Sequence, residues 1–288
     1  MSAADLFLRL TRRYLFTGEL VLRTALHIGG GDARMGSTDS PVVRRADGQP
    51  FIPGSSLKGA FRSAVERLAA TLELPNMDRD VLDTGSPWIK EFNQRRRAGG
   101  AHGQPWSEDA TVAAVAAEWP VTALLFGTHY TASKLRFCDA YLIGSQETII
   151  QRRDGVAIDR DSERAMDRLK YDYEVVPPTL GFAFELVLDN PTPTDLGLTC
   201  LGLAELCAGF FSLGGKRSSG LGRCVLERPV GFALDLSDPQ KRAERLSNYL
   251  LKRTPAEQFT PIANLDAFME TAITALLQGD AHASSTRQ

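Results

Sequence analysis

Cysteine, long apolar runs and net charge are all scarce in this sequence. Four of its 288 residues are cysteines, and no two of them are spaced as a CxxC metal-ligand pair. Isolated cysteines in apolar runs predict buried free thiols in a reducing cytoplasm and argue against a disulfide framework. No stretch approaches the roughly 20 apolar residues of a membrane span, and the first residues lack a signal-peptide core and cleavage site. The sequence therefore predicts a cytoplasmic protein with no membrane partner.

The charge balance argues against a protein that binds polyanions over its whole surface, because the formal net charge is -2. The distribution along the chain is less even. Residues 1–67 contain ten lysines and arginines against six acidic residues, whereas the rest of the chain contains 23 against 29. This asymmetry is a modest indication of a local basic face. A hydrophobic content of 43% and the chain length suit a globular protein with one large domain or two closely packed ones.

The segment from Phe16 to His27 predicts a half-buried strand. Apolar residues at 16, 20, 22 and 26 fall on one face, and the polar face ends in Arg23 and His27. This parity places His27 away from the core, beside three glycines at 29–31 that allow close approach of the backbone to another molecule. A ligand-contacting histidine and a merely structural or solvated one are both open at this point.

A Pro-Gly stop at 53–54 precedes a predicted helix, for which Ser55 or Ser56 is the expected N-cap. Lys58 and Arg62 are i,i+4 neighbours near its start, on a different face from the apolar stripe. The helix dipole favours anions at this end, so cations placed beside free backbone amides predict an anion site. The alternative is a solvated basic face.

Two segments depart from the pattern of a compact core. Residues 75–120 read as an insertion that contains an arginine run at 95–97, although such charge runs are usually solvated surface. Residues 151–174 hold six basic and seven acidic residues with only a thin apolar pattern. A segment that cannot bury itself, yet is not of low complexity, predicts a projecting hairpin.

A nearly all-apolar helix at 196–211 leads into a glycine-rich loop that contains Lys216 and Arg217. This loop is not a Walker A loop, because that spacing requires glycine where Phe210 stands and serine or threonine where Arg217 stands. ATP hydrolysis is therefore not expected. A contact with an RNA backbone fits the loop better.

The order strand, helix, strands with an arm, helix, strand predicts an α+β fold. We expect a ferredoxin-like (RRM-type) sheet core with two packed helices at residues 1–230. This core includes the helical insertion at 75–120 and a projecting β-hairpin at 148–178, and a helical C-terminal extension follows at 231–288. Sheets of this kind often carry single-stranded RNA.

Three blocks of the sequence resemble one known family. They are LHIGGGDARMGSTDSPVVRRADGQPFIPGSSLKGAFRS at Leu26–Ser63, the pair Gly155–Arg160 and Tyr173–Pro177, and the loop Gly214–Gly222. Together they resemble RAMP-superfamily proteins of type III CRISPR effector complexes. The resemblance is strongest to the repeating backbone subunit, the "Cas seven" family of Csm and Cmr complexes, and it covers most of residues 16–228.

The resemblance implies a filament-forming subunit that grips a crRNA guide while the guide pairs with a complementary target RNA. In that family a thumb hairpin wedges between paired segments and leaves a target nucleotide flipped out at regular intervals. The matching hairpin here is 148–178, with Ile158, Asp159 and Arg160 at the thumb. The implied partners are further copies of the chain or related RAMP subunits, a large polymerase-like subunit and small subunits.

The resemblance also implies a cleavage site. In that family an aspartate in a TDSPV-like loop promotes cleavage of the target beside the flipped nucleotide, with a divalent metal ion. Asp39 is the matching residue and the candidate ligand for Mg²⁺ or Mn²⁺, and Asp32 is the competing carboxylate in the same loop. The alternative for Asp39 is a structural Asx-type turn or cap before Ser40 and Pro41.

The RNA-binding residues expected from the residues and the resemblance together are His27, Gly30, Gly31, Arg44, Ser55, Ser56, Lys58, Arg62, Lys216, Arg217 and Ser218. Two other functions stay open. The chain could be an architectural crRNA-binding subunit without catalytic activity. It could also be an endoribonuclease that processes the repeat RNA of the guide precursor with His27, although the projecting arm and the TDSPV loop fit the backbone subunit better.

Overall fold

The computed structural model describes residues 9–30, 38–99, 104–144, 150–158 and 165–285. Helices and an antiparallel sheet are combined in it, so the predicted α+β class is confirmed. The strands are β1 (Arg12–Leu22), β2 (Phe51–Ile52), β3 (Leu135–Phe137), β4 (Ala140–Tyr141), β5 (Gln151–Ile158), β6 (Ala165–Val175), β7 (Gly181–Asp189), β8 (Phe211–Ser212), β9 (Arg223–Asp235) and β10 (Thr260–Pro261).

The main sheet has the strand order β10-β9-β1-β7-β3, and β8 pairs with β9. The pairs that β1 makes with β7 and β9 are both antiparallel, as is the pair of β3 with β7. Alternation explains the buried face of β7, where Phe182, Phe184, Leu186 and Leu188 are all almost completely buried. Burial of each such side chain contributes about 1.5–3 kcal/mol to stability. The strand predicted there is confirmed.

Helices cover the sheet and occupy most of the two segments predicted to be an insertion and a C-terminal extension. They are α1 (Gly54–Thr71), α2 (Pro87–Ala98), α3 (Glu108–Glu118), α4 (Val121–Phe126), α5 (Pro193–Cys207), α6 (Pro239–Leu251), α7 (Pro255–Gln258) and α8 (Leu265–Ser285). Phe61 of α1 and Leu203 of α5 lie in the same buried cluster as the inner face of the sheet. In the described part of the chain, no helix combines the length and the hydropathy that a bilayer crossing requires.

The insertion has a small core of its own. Phe92 of α2 packs edge-on against Trp106, Trp119 and Tyr130, with ring centroids 5.7–5.9 Å apart. Arg95, from the predicted arginine run, forms an ion pair of 2.6 Å with Glu118 at the end of α3. This residue of the run therefore joins the two helices of the insertion.

Two local predictions were wrong. The strand β1 ends at Leu22 rather than continuing to His27, because the chain bends at Arg23 and Thr24. The N-cap of α1 is Pro53 rather than Ser55 or Ser56, and its side chain forms no capping hydrogen bond with the helix. The first amide of α1 is capped from far along the chain: Gly54 N–H donates to Asp139 Oδ1 at 2.7 Å.

All four cysteines are free thiols, as predicted, although Cys138 is exposed rather than buried. Burial raises the pKa of Cys200 and of Cys224 to about 12. Partial desolvation and then the Glu185 carboxylate raise the pKa of Cys138 to about 11. Because the thiolate is the reactive form, exposure alone does not make Cys138 reactive.

We therefore expect an aromatic disulfide reagent at pH 7.5 to label Cys138 in the native protein roughly tenfold to a hundredfold more slowly than a free thiol. Absorbance of the released thiol measures the rate, and unfolding in guanidinium should make all four cysteines react. The Glu185→Gln variant removes one cause of the raised pKa and should label faster. Equal rates for this variant and the wild type would contradict the assignment.

Candidate functional site

Asp39 is exposed and lies against β6. Its backbone N–H donates to Asp172 Oδ1 at 2.7 Å, and the backbone N–H of Asp172 donates to Asp39 Oδ2 at 3.0 Å. The next residue, Ser40, forms a parallel bridge with Tyr173, and its carbonyl accepts from Glu174 N–H at 3.0 Å. The loop that contains Asp39 is therefore attached to the return strand of the β5–β6 hairpin.

Glu174 extends this attachment by two residues. Its Oε2 accepts from Val42 N–H at 3.0 Å and pairs with Arg44 Nη2 at 2.8 Å. Glu174 is mostly buried, whereas more than a third of the Arg44 side chain is exposed. Arg44 can therefore still offer N–H donors to an RNA phosphate, but part of its charge is already balanced within the protein.

His27 is buried, with 8% of its surface exposed. Its Nδ1 lies 2.7 Å from the carbonyl oxygen of Glu174, which can only accept, so Nδ1 carries the proton. Its Nε2 lies 3.2 Å from Ser40 Oγ, and in the neutral ring it accepts from that hydroxyl. The prediction that His27 faces away from the core was wrong, because β1 ends before it and the chain turns inward. The imidazole joins the loop of Asp39 to β6.

The glycine-rich loop closes over the backbone of His27. Gly214 has φ of 72°, and a Cβ at this position would lie 2.2 Å from the His27 carbonyl oxygen. Gly215 N–H donates to the same oxygen at 2.9 Å. Glycine at 214 is therefore required both by the left-handed conformation and by the close approach.

Lys216 fixes this loop to the hairpin. Its Nζ lies 4.4 Å from the ring centre of Tyr171 and 4.3 Å from that of Tyr173, and it donates to the Tyr171 hydroxyl at 3.1 Å. These are cation–π distances. Neither tyrosine was predicted as a site residue, although Tyr173 begins one of the blocks that carry the resemblance and the i,i+2 spacing of the two in a charged segment indicates one face of a strand. Arg217 and Ser218 follow in an exposed 3-10 turn.

The remaining candidates are the residues at the start of α1, Gly30 with the thumb residue Ile158, and four residues outside the described ranges. Ser55, Ser56, Lys58 and Arg62 lie together on the first turns of α1, which packs against α4 and β3. Arg62 pairs with Glu66 at 2.7 Å, and burial followed by the charge of Arg62 lowers the pKa of Lys58. Gly30 is exposed and Ile158 ends β5. Outside the described residues lie Gly31, Asp32, Asp159 and Arg160.

These contacts bring Asp39, His27, Arg44 and Lys216 together around one stretch of β6. The comparison that decides the family is a match of the RAMP superfamily profile to residues 19–225. The chain belongs to the RAMP superfamily. The match includes the loop of Asp39, the hairpin and the glycine-rich loop.

Curated relatives of this RAMP protein carry the name CRISPR system Cms endoribonuclease Csm3. The protein of Streptococcus thermophilus is 39% identical over 88 residues, which are 28% of this chain and 40% of the relative. That of Methanothermobacter thermautotrophicus is 42% identical over 62 residues, or 20% and 25%. That of Methanocaldococcus jannaschii is 45% identical over 62 residues, or 21% and 25%. This RAMP protein thus matches well under half of the length of each.

Proposed function

We propose that this RAMP protein is a crRNA-binding backbone subunit of a type III CRISPR ribonucleoprotein, and that it cleaves guide-complementary target RNA through Asp39. The observation that carries the proposal is the exposed Asp39 carboxylate, held against the hairpin strand that would contact paired RNA. Membership of the RAMP superfamily and the names of the relatives support it.

The topology supports a ferredoxin-like core. The strand order β9-β1-β7-β3, with α1 between β1 and β3 and α5 between β7 and β9, is the order that a βαββαβ unit gives when all neighbouring strands are antiparallel. The hairpin β5–β6 lies between β3 and β7 in the chain, and its two strands pair with each other. Among the described residues, the bridge of Tyr173 to Ser40 joins it to the loop of Asp39. A two-stranded arm of this kind suits the proposed thumb.

The guide would lie along the glycine-rich loop and the loop of Asp39. Arg217 and Ser218 are exposed and offer donors to phosphate oxygens, as does the exposed part of Arg44. The group on the first turns of α1, which includes Lys58, would add a second contact with the RNA backbone. His27 and Lys216 then act chiefly by fixing the two loops to the hairpin.

RNA supplies its own nucleophile for the cleavage. The 2′-oxygen of the flipped nucleotide attacks the adjacent phosphorus, the bond to the 5′-oxygen of the next nucleotide breaks, and a 2′,3′-cyclic phosphate and a 5′-hydroxyl form. Asp39 would accept the proton of the 2′-hydroxyl, and the proton needed by the leaving oxygen would come from solvent. The protein's main contribution is to hold the nucleotide in line for attack.

The alternative role of Asp39 is to hold a divalent cation, Mg²⁺ or Mn²⁺, which would neutralise phosphate charge when bound. Within the described ranges, no group of three or more histidine, cysteine, aspartate or glutamate side chains is placed to ligate a metal. Mg²⁺ is commonly held by one carboxylate together with substrate phosphates and water, and the exposed carboxylate of Asp39 fits that arrangement.

The test is cleavage of target RNA by the complex purified with its own guide. We expect a complementary RNA to be cut at regular intervals and an unrelated RNA to stay intact. A target with a single 2′-deoxynucleotide at one cut position should resist cutting there alone. The complex should also contain further copies of the chain and the larger and smaller subunits. Cutting that ignores complementarity, or that proceeds at the deoxynucleotide, would contradict the proposal.

Two alternatives predict different outcomes. An architectural subunit binds the guide but leaves every complementary target uncut in the purified complex. A repeat-processing endoribonuclease cuts repeat RNA as an isolated protein, with His27 as the proton-transfer group. The engagement of both His27 ring nitrogens within the protein disfavours that second alternative.

A further inference from the structure

Asp39 and Asp172 hold each other by two reciprocal bonds, and the two bonds do different things. The amide of Asp172 holds the Asp39 carboxylate through Oδ2. The carboxylate of Asp172 holds the Asp39 main chain through its amide. Truncation of the side chain at 172 to alanine removes the second bond and leaves the first in place, because the first uses only the backbone of residue 172.

We propose that Asp172 is a positioning residue for the cleavage, because its carboxylate sets where the main chain of Asp39 lies. The proposal rests on the catalytic function proposed for Asp39. The bond from Asp39 N–H is 2.7 Å long and has a carboxylate as its acceptor, which makes it short and strong for a hydrogen bond of this kind. Asp172 can have this effect without touching the RNA itself.

Asp172 is itself fixed on three sides. Its second oxygen, Oδ2, lies 3.0 Å from Nε of Arg152 on the partner strand β5, and most of its side chain is buried. Tyr171 and Tyr173, its neighbours in sequence, both pack against the ammonium of Lys216. The oxygen that receives the Asp39 amide therefore belongs to a side chain with little freedom to move, which is what a positioning group requires.

The experiment measures single-turnover cleavage and target affinity in the assembled complex. Asp172→Ala should cut about tenfold to a hundredfold more slowly, since a displacement of about 1 Å can cost that much. Asp172→Glu keeps the charge but moves the acceptor by one methylene, so it should also be slow. Asp172→Asn keeps an oxygen for the Asp39 amide and should cut within about threefold of the wild type. Target affinity should not change in any of them.

The matched control is Asp47→Ala. Like Asp172, Asp47 accepts a backbone N–H, here from Gln49 at 3.0 Å. It is exposed and lies in the segment that follows the loop of Asp39. This variant should cut at the wild-type rate. Complex assembly and guide content, measured by gel filtration and RNA extraction, identify any variant that does not fold. Should Asp172→Ala fail to assemble, the comparison of Asp172→Glu with Asp172→Asn decides.

Three results would overturn the inference: wild-type cleavage by Asp172→Ala or Asp172→Glu, an equal loss in Asp172→Asn and Asp172→Ala, or a loss that lies wholly in target affinity. Failure of the underlying function looks different. If Asp39→Ala cuts as the wild type does, the catalytic proposal fails. If Asp39→Ala is inactive while all variants at 172 cut normally, only the positioning inference fails.

Discussion

A complex that carries Asp39→Ala is expected to bind target RNA normally and to cut it about 10²–10⁴-fold more slowly, which is the usual contribution of a positioned acid–base group. The substitution removes the carboxylate but keeps the Asp39 amide that donates to Asp172, so the loop retains its register on β6. A loss of rate would therefore report on the chemistry rather than on the path of the loop.

Asp39→Asn is the sharper form of this experiment. An asparagine oxygen still accepts from the Asp172 amide, so the local structure is preserved while the negative charge is lost. We expect it to be as inactive as Asp39→Ala when product formation is followed on a gel with excess complex over target. A variant Asp39→Asn that cut at the wild-type rate would show that the carboxylate has only a structural role.

The second large effect concerns stability. Asp195→Ala is expected to lower the free energy of unfolding by about 3–5 kcal/mol, because it leaves a charged group buried without its partner. Lys134 Nζ lies 2.5 Å from Asp195 Oδ2, and both side chains are only 4% exposed. Asp195 also completes a capping box with Thr192 at the start of α5, so the backbone N–H and the hydroxyl of Thr192 lose their acceptor as well.

Urea unfolding followed by tryptophan fluorescence measures the loss, with the slope of the transition checked for constancy. The control is an exposed ion pair: Arg23 and Glu227 are 2.8 Å apart, but both are at least a third exposed. Glu227→Ala should change stability by no more than about 1 kcal/mol. Similar losses of unfolding free energy for the two variants would mean that burial is not the reason why the Lys134–Asp195 pair stabilises the protein.

Local patterns were sufficient for much of the fold. The alternation in β7 predicts its buried face, because successive side chains of a strand point to opposite sides. The stretch from Ser107 to Glu118 has a helix-like pattern, and it forms α3 with Ser107 as the N-cap. Asp39 was selected by the resemblance of its loop to a family pattern, since an aspartate before Ser-Pro is by itself equally consistent with a turn.

Contacts distant in sequence could not be predicted. Asp139 caps α1 from 85 residues away, and Asp172 meets Asp39 across 133 residues. The bend after Leu22 buries His27 because the chain there pairs with residues that follow the hairpin, and Leu26 bridges to Val176. The alternation of apolar residues from Phe16 to Leu26 continues past Leu22, so it does not indicate that the chain leaves β7 and pairs with Val176 instead.

The bonds between Asp39 and Asp172 attach Asp39 to one fixed position along β6. From Asp172 to Ala165, the first residue of β6, the strand runs for seven residues, or about 23 Å at 3.3 Å per residue. Lys216 holds the base of that strand against the glycine-rich loop. The distance between Ala165 and Asp39 is therefore set by the number of residues in β6. Lengthening both strands by two residues would add about 7 Å to it without altering any residue that touches Asp39.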